Sequence, residues 1–264
     1  MNILIVGDVV ARPGRRVLFG ALEQLRTQYA IDFVTTNVEN AAGGFGITRK
    51  VLDEFLTQGV DAMTSGNHIW DKKEVFGFID DEPRLLRPQN YPPESPGAGW
   101  GIFTAGNGVR VGVLNLMGQA FMHPPLDSPY READTVLQGL PEDVKVVLVD
   151  FHAETTSEKM ALGWHLDGRV SVVSGTHTHV PTADERLLHE GTAYITDIGM
   201  TGCYDSVIGT NTEKVLNRVL RKLPERLEPA KGPATLRAVV VNIDEQSGRA
   251  TDIRRITVGE PPEK

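Results

Sequence analysis

Cysteine is almost absent. Cys203 is the only one in 264 residues, so no disulfide forms within the chain and a Cys-ligated structural zinc site is excluded. A reducing compartment is the expectation. Long apolar runs are missing as well: no stretch approaches the roughly 20 residues of a membrane helix. The start, Met1 to Asp8, has neither the basic region nor the apolar length of a signal peptide. A cytoplasmic protein with no membrane partner is expected. Basic charge is not in excess either. With 27 Lys and Arg against 35 Asp and Glu, the formal net charge is −8. That disfavours an extended nucleic-acid surface, but not a small phosphate ester held by metal ions.

What is present is the composition of a chain with a substantial core, 40% hydrophobic and 23% charged. No linker or internal repeat interrupts it, so one domain over residues 1–264 is expected. Ile3 to Val6 reads as a strand buried on both faces. Val17, Leu18, Ala21, Leu22 and Leu25 recur at helical spacing behind Pro13. Phe33 to Thr36 is a second strand, Val51 to Leu56 a second helical face with Gly59 as its C-cap, and Asp61 to Thr64 a third strand. This β-α-β-α-β opening predicts parallel pairing. Gly101 to Ala105 and Val109 to Leu116 flank Asn107-Gly108, a hairpin signal. Gln119 to Tyr130 reads as irregular, long enough for a lid or an oligomer contact. Further strands are expected at Val144 to Val149, Val170 to Val173 and Ala193 to Ile195, helices at Thr156 to Leu166 and Asn211 to Leu223, and a closing hairpin after Leu236. The order runs from α/β to increasingly antiparallel, as in two packed sheets with helices outside.

The chemistry sits where the strands end. Asp8, Glu39, Asn40, Asn67, His68, His152, His177 and His179 all follow predicted strands, and strand ends of an α/β core converge on one edge. Gly66 is expected to permit a tight turn ahead of Asn67-His68. Taken singly, each residue has a plainer reading: Asp8 as a helix N-cap, Glu39 as a solvated turn residue, His152 as a hydrogen-bonded core histidine. In His177-Thr178-His179, alternate residues of an extended segment share a face, which sets two imidazoles side by side. Carboxylates, amide oxygens and imidazoles without thiolates suit a mid-row divalent ion. Seven candidate ligands exceed the needs of one ion with open positions, and two metals bridged by a carboxylate is the economical reading.

The ordered segments Gly7-Asp8, Glu39-Asn40, Gly66-Asn67-His68, His152 and Gly175-Thr176-His177-Thr178-His179 resemble the calcineurin-like metallophosphoesterases. Val38 to Gly44, Thr64 to Asp71 and Tyr204 to Gly209 narrow the resemblance to the bacterial YmdB-type branch. Two departures from the broader pattern stand out. Val10 occupies a position where a histidine is usual, and Glu39-Asn40 replaces a bridging aspartate.

The resemblance implies a four-layer α/β/β/α sandwich of mixed sheets flanked by helices. It implies that Asp8, Glu39, Asn40 and His179 bind one metal, that Glu39, Asn67, His152 and His177 bind the other, and that iron or manganese fills both. It further implies a phosphodiesterase acting on cyclic nucleotides, with 2′,3′-cyclic nucleotides as substrates. Metal-bound hydroxide would attack, and His68 would act as proton donor rather than ligand. Arg49 and Lys50 are candidates for holding phosphate, against a plainer reading as solvated helix-start charges. Two alternatives stay open: a phosphomonoesterase or nucleotidase on the same scaffold, and a regulatory nucleotide- or RNA-binding protein with low turnover. A homo-oligomer is compatible with all three.

Overall fold

The computed structural model describes residues 1–259; the last five residues of the stretch expected to form one domain lie outside the described residues. In chain order it runs β1 (Asn2–Val6), β2 (Asp8–Val9), α1 (Ala11–Tyr29), β3 (Ile31–Asn37), α2 (Arg49–Thr57) and β4 (Ala62–Thr64). After a 3-10 turn at Lys73–Gly77 come β5 (Trp100–Thr104), β6 (Arg110–Met117), α3 (Pro129–Gln138), β7 (Val146–His152), α4 (Thr156–Leu166) and β8 (Val172–Thr176). The remainder is β9 (Arg186–Leu187), β10 (Ala193–Ile195), β11 (Met200–Thr201), α5 (Thr212–Arg221), β12 (Thr235–Ile243) and β13 (Ala250–Gly259).

Two sheets carry the fold, in the orders β13-β12-β1-β3-β4 and β5-β6-β7-β8-β10-β9. Strand alternation assigns their faces. Ile3 and Ile5 of β1 point toward the second sheet and pack with Phe33, Val113, Leu148 and Val172. Leu4 and Val6, one residue out of phase, pack with Leu18, Leu22, Leu52 and Phe55 under α1 and α2. On the far side Val147, Val149 and Phe151 meet Leu162 and Leu166 of α4 and Ala133 and Val136 of α3. The expected helix–sheet–sheet–helix layering results. Each fully buried Leu, Ile or Phe contributes about 1.5–3 kcal/mol.

β1, β3 and β4 pair in parallel, as the opening pattern predicts. The expected drift toward antiparallel pairing holds for β5 with β6, for β9 with β10, and for β12 with both β1 and β13. β6, β7, β8 and β10 are parallel, because α3 and α4 return the chain across the second sheet between strands. α3 itself falls partly inside and partly beyond the stretch read as irregular. It begins at Pro129, a favoured first-turn residue.

β2 and β11 form a two-residue ladder with Asp8 opposite Met200. The N-cap position of α1 is Val10, with no side-chain cap, so Asp8 is not a helix cap. α5 carries the expected apolar residues, but none of its side chains is buried. No helix among the described residues is long and apolar enough to cross a membrane.

Candidate metal centre

The C-terminal ends of the parallel strands meet at one edge of the sandwich, and the eight residues singled out from the sequence stand there. Asp8 follows β1, Glu39 and Asn40 follow β3, Asn67 and His68 follow β4, His152 ends β7, and His177 and His179 follow β8. Asp8, Glu39, Asn40 and His152 are buried.

His152 is the centre. Its Nε2 lies 3.0 Å from Glu39 Oε1, 3.1 Å from Asn67 Oδ1 and 3.0 Å from His177 Nδ1. One ring nitrogen cannot satisfy three such neighbours with one proton. Its other nitrogen, Nδ1, faces Thr176 Oγ1 at 3.0 Å, and that hydroxyl donates to Asp150 Oδ1 at 2.7 Å. Asp150 also accepts from the Thr64 hydroxyl and the Asn37 amide. With its hydroxyl proton given to Asp150, Thr176 accepts from Nδ1–H, so in the neutral ring the Nε2 lone pair points into the cluster. Thr176 and Thr64 lay inside the quoted motifs, but their pairing with His152 and Asp150 was not read from them, and Asp150 and Asn37 were not singled out.

Glu39 uses both oxygens: Oε2 accepts the His68 backbone N–H at 2.9 Å. Burial pushes Glu39 up, but the adjacent His152 outweighs it and takes the carboxyl down to about 2. Burial pushes His152 down, yet the charge and hydrogen bond of Glu39, with Asp8 and Asp150 nearby, carry it up to about 9. Burial and the positive His152 hold His177 down at about 3. The pocket therefore favours one positive charge at its centre.

A second group sits alongside. His179 Nε2 is 3.3 Å from Asn40 Oδ1 and 3.9 Å from Asp8 Oδ1, while its Nδ1 faces the Ile208 carbonyl at 2.8 Å. Asp8 Oδ2 accepts the His177 backbone N–H at 3.2 Å; Oδ1 is buried and has no hydrogen-bond partner. Burial raises Asp8 to about 6.

His68 stands apart from the cluster. Its Nδ1 contacts Asp71 Oδ2 at 2.8 Å and its ring packs edge-on against Phe45. Asp71 lay in the quoted motif, but its pairing with His68 was not read from it.

The expected turn begins at Gly66, whose carbonyl accepts the Ile69 N–H at 3.3 Å, and the residue has a second role. Its φ is not positive; a Cβ there would lie 2.1 Å from the His152 ring. Glycine is required because the imidazole packs on its backbone.

Arg49 is engaged elsewhere, with Nε 2.9 Å from Asp53 Oδ1, while Lys50 lines a separate surface recess. A cavity of about 1010 Å³ beside α1 and the 41–46 loop has a cationic rim of Arg12, Arg16, Lys72 and Lys231, but none of the cluster residues lines it.

A divalent ion suits this donor set. Glu39, His152 and His177 are the trio among the described residues whose His or carboxylate ligand atoms all lie within 4.8 Å of one another. The amide oxygen of Asn67 completes a hard and imidazole set. The partnerless Asp8 Oδ1 is a buried acceptor of the kind a cation satisfies.

The family model of YmdB-like proteins matches residues 4–256. The chain belongs to the YmdB-like family. It lies within the calcineurin-like metallophosphoesterase superfamily and is an enzyme of that metal-dependent phosphoesterase type. A YmdB-like relative from Bacillus subtilis (strain 168), a 2′,3′-cyclic-nucleotide 2′-phosphodiesterase, is 48% identical over 260 residues, covering 98% of both chains. A hypothetical protein from Thermus thermophilus superposes with a TM-score of 0.92 at 43% identity, covering 99% of this chain and 100% of that one. A novel phosphatase from Mycoplasma pneumoniae has a TM-score of 0.92 at 32% identity, covering 98% and 93%.

Cys203 lies outside the cluster. It packs with Ala230 and Ala234, its Sγ 3.4 Å from the Gly232 carbonyl, and burial pushes its thiol up. A raised, buried thiol is a poor nucleophile. Cys203→Ser is expected to keep most of the phosphoesterase activity and full metal content. Loss of turnover with metal retained would reverse this.

Proposed function

We propose that this enzyme is a dinuclear phosphodiesterase that opens 2′,3′-cyclic nucleotides. The observation that carries the reading is the convergence of Glu39, Asn67 and His177 on His152 Nε2. The 48% identity to the Bacillus subtilis 2′,3′-cyclic-nucleotide 2′-phosphodiesterase supports this choice of substrate. Glu39, Asn67, His152 and His177 hold one divalent ion. Asp8, Asn40 and His179 hold the second, with Glu39 shared between them. Iron or manganese fits both sets. When bound, such ions polarise phosphoryl oxygens and acidify water.

The remaining work belongs to the chain. The Asp150–Thr176 hydrogen bonds keep the His152 lone pair directed inward. His68 gives a proton to the departing ribose oxygen as general acid. Asp71 orients that ring through Nδ1, leaving Nε2 for the substrate. Water supplies hydroxide to phosphorus as the bond to one ribose oxygen breaks; that oxygen leaves protonated, and the phosphate stays on the neighbouring oxygen as a monoester.

The test is metal analysis of anaerobically purified protein together with a phosphoester panel. Two metals per chain and preference for the 2′,3′-cyclic diester are expected. Hydrolysis of monoesters alone would select a phosphatase instead, and tight nucleotide binding with negligible turnover a regulatory protein.

Metal uptake should also displace a proton. A ligand imidazole must be neutral, and His152 without metal titrates at about 9. It is therefore mostly protonated at pH 7.5, and Co2+ binding there should release about one proton. Raising the pH toward 9 removes the competing proton, so apparent affinity should rise roughly tenfold per pH unit. Calorimetry in two buffers of different ionisation enthalpy measures the count. A count of zero would show that the ion displaces no proton from His152.

A further inference from the structure

Beneath the double-histidine loop lies a buried ion pair that the proposed chemistry does not use. Lys159 of α4 and Asp197, in the loop after β10, are each about 1% exposed, with Nζ 2.6 Å from Oδ2. Lys159 Nζ also donates to the Thr176 carbonyl at 2.7 Å. The same Asp197 Oδ2 accepts the Thr178 backbone N–H at 3.2 Å and the Thr178 hydroxyl at 2.8 Å. Asp197 is held in turn: its Oδ1 accepts the Gly199 N–H at 2.8 Å, and its own N–H donates to Thr182 Oγ1 at 3.0 Å. Thus residues 176 and 178, on either side of His177, are both tied to one buried pair.

The two histidines need such a tie. His177 has φ 96° and His179 has φ 64°, left-handed conformations that non-glycine residues avoid and that persist only where surrounding structure enforces them. A loop free to relax to negative φ would turn both imidazoles away from Glu39, Asn40 and Asp8. Gly175 serves the same arrangement, because a Cβ there would lie 1.8 Å from the Thr196 carbonyl oxygen and 3.0 Å from Lys159 Cδ. A buried ion pair is a weak source of stability compared with apolar side chains of similar volume. Its charges are instead placed where they grip backbone.

We propose that Lys159 and Asp197 are positioning residues that act through Thr178 to hold His177 and His179 in metal-binding geometry. This rests on the reading of those histidines as ligands. Every non-histidine member of the Gly175-Thr176-His177-Thr178-His179 run then has a task. Gly175 admits the Lys159 stem, Thr176 directs His152, and Thr178 anchors the turn.

Metal-stripped protein titrated with Co2+, followed by calorimetry and by the Co2+ absorption bands, tests it. Thr178→Val removes the hydroxyl tie at nearly constant shape, and Thr178→Ser restores it. Thr178→Val should weaken Co2+ binding by about 10–100-fold, the usual scale for groups that orient metal ligands, with Tm close to wild type. Thr178→Ser should bind as wild type. The double variant Lys159→Met/Asp197→Leu replaces the pair by apolar side chains. It should keep the circular dichroism spectrum and lose Co2+ affinity on the same scale as Thr178→Val.

His177→Ala is the reference for the ligand reading. If His177→Ala loses Co2+ while Thr178→Val binds as wild type, the positioning role is wrong and the ligand role stands. If His177→Ala itself binds as wild type, the ligand reading falls and this proposal falls with it. The Val and Ser variants decide the matter whether or not the double variant folds.

Discussion

Glu39→Gln should empty the metal centre. Both Glu39 oxygens are committed, Oε1 toward His152 Nε2 and Oε2 to the His68 N–H. A glutamine can satisfy the His68 N–H only with its single oxygen. Its NH2 group must then face the point where the other ligands converge, presenting hydrogens where a cation needs lone pairs. The negative charge that draws His152 up to about 9 is lost as well. We expect metal content well below one per chain after dialysis and turnover reduced by roughly 10³-fold or more, the scale of removing several kcal/mol of Lewis-acid stabilisation. Elemental analysis and steady-state rates measure both, with circular dichroism as the control for folding. If the variant retains both metals at wild-type occupancy, Glu39 is not the shared ligand.

His68→Ala should do the opposite, sparing the metals and removing the chemistry. The contact between His68 and Glu39 runs through backbone N–H and survives truncation of the imidazole. The side chain itself points to Asp71 and Phe45. Turnover of poor leaving groups, such as a ribose oxygen, should fall by about 10²–10⁴-fold, the range for a general acid. Nitrophenyl esters need little protonation of the leaving oxygen and should suffer less. Metal content and rates on both substrate types separate the roles. A lost metal would make His68 a ligand. Equal slowing of both substrates would make it a phosphate clamp.

These expectations began with residues legible in the chain. Asp8, Glu39, Asn40, Asn67, His68, His152, His177 and His179 were all identified from strand ends and motif order, and all stand at one edge of the sandwich. Gly66 was legible as a turn residue, but the crowding that also demands glycine was not, because the ring that crowds it belongs to a residue 86 positions later. Asp71 was in view without its partner. Thr176 was in view within the double-histidine motif without its partner, while Asp150, Lys159 and Asp197 carried no signal beyond ordinary strand, helix and loop residues. A buried hydrogen bond such as Asn37 to Asp150, across 113 residues, has no periodicity to betray it.

By itself the sequence determined whatever depends on near neighbours. Apolar runs and alternation set β1, β3 and β7, helical spacing set α1 and α2, and the motifs placed a carboxylate, an amide or an imidazole after several strand ends. Only the tertiary structure decided how these parts combine. It placed β12 antiparallel beside β1, kept β6, β7, β8 and β10 parallel where an antiparallel trend was expected, and left the apolar face of α5 uncovered. It also selected the His152 nitrogen that meets the other ligands and the buried pair that grips the double-histidine loop. Local propensity acts over a few residues through backbone sterics and side-chain spacing. The side-chain atoms that meet His152 Nε2 lie within about 3 Å of it yet come from separate strand ends in both sheets, and only the packing of those sheets face to face brings the ends together.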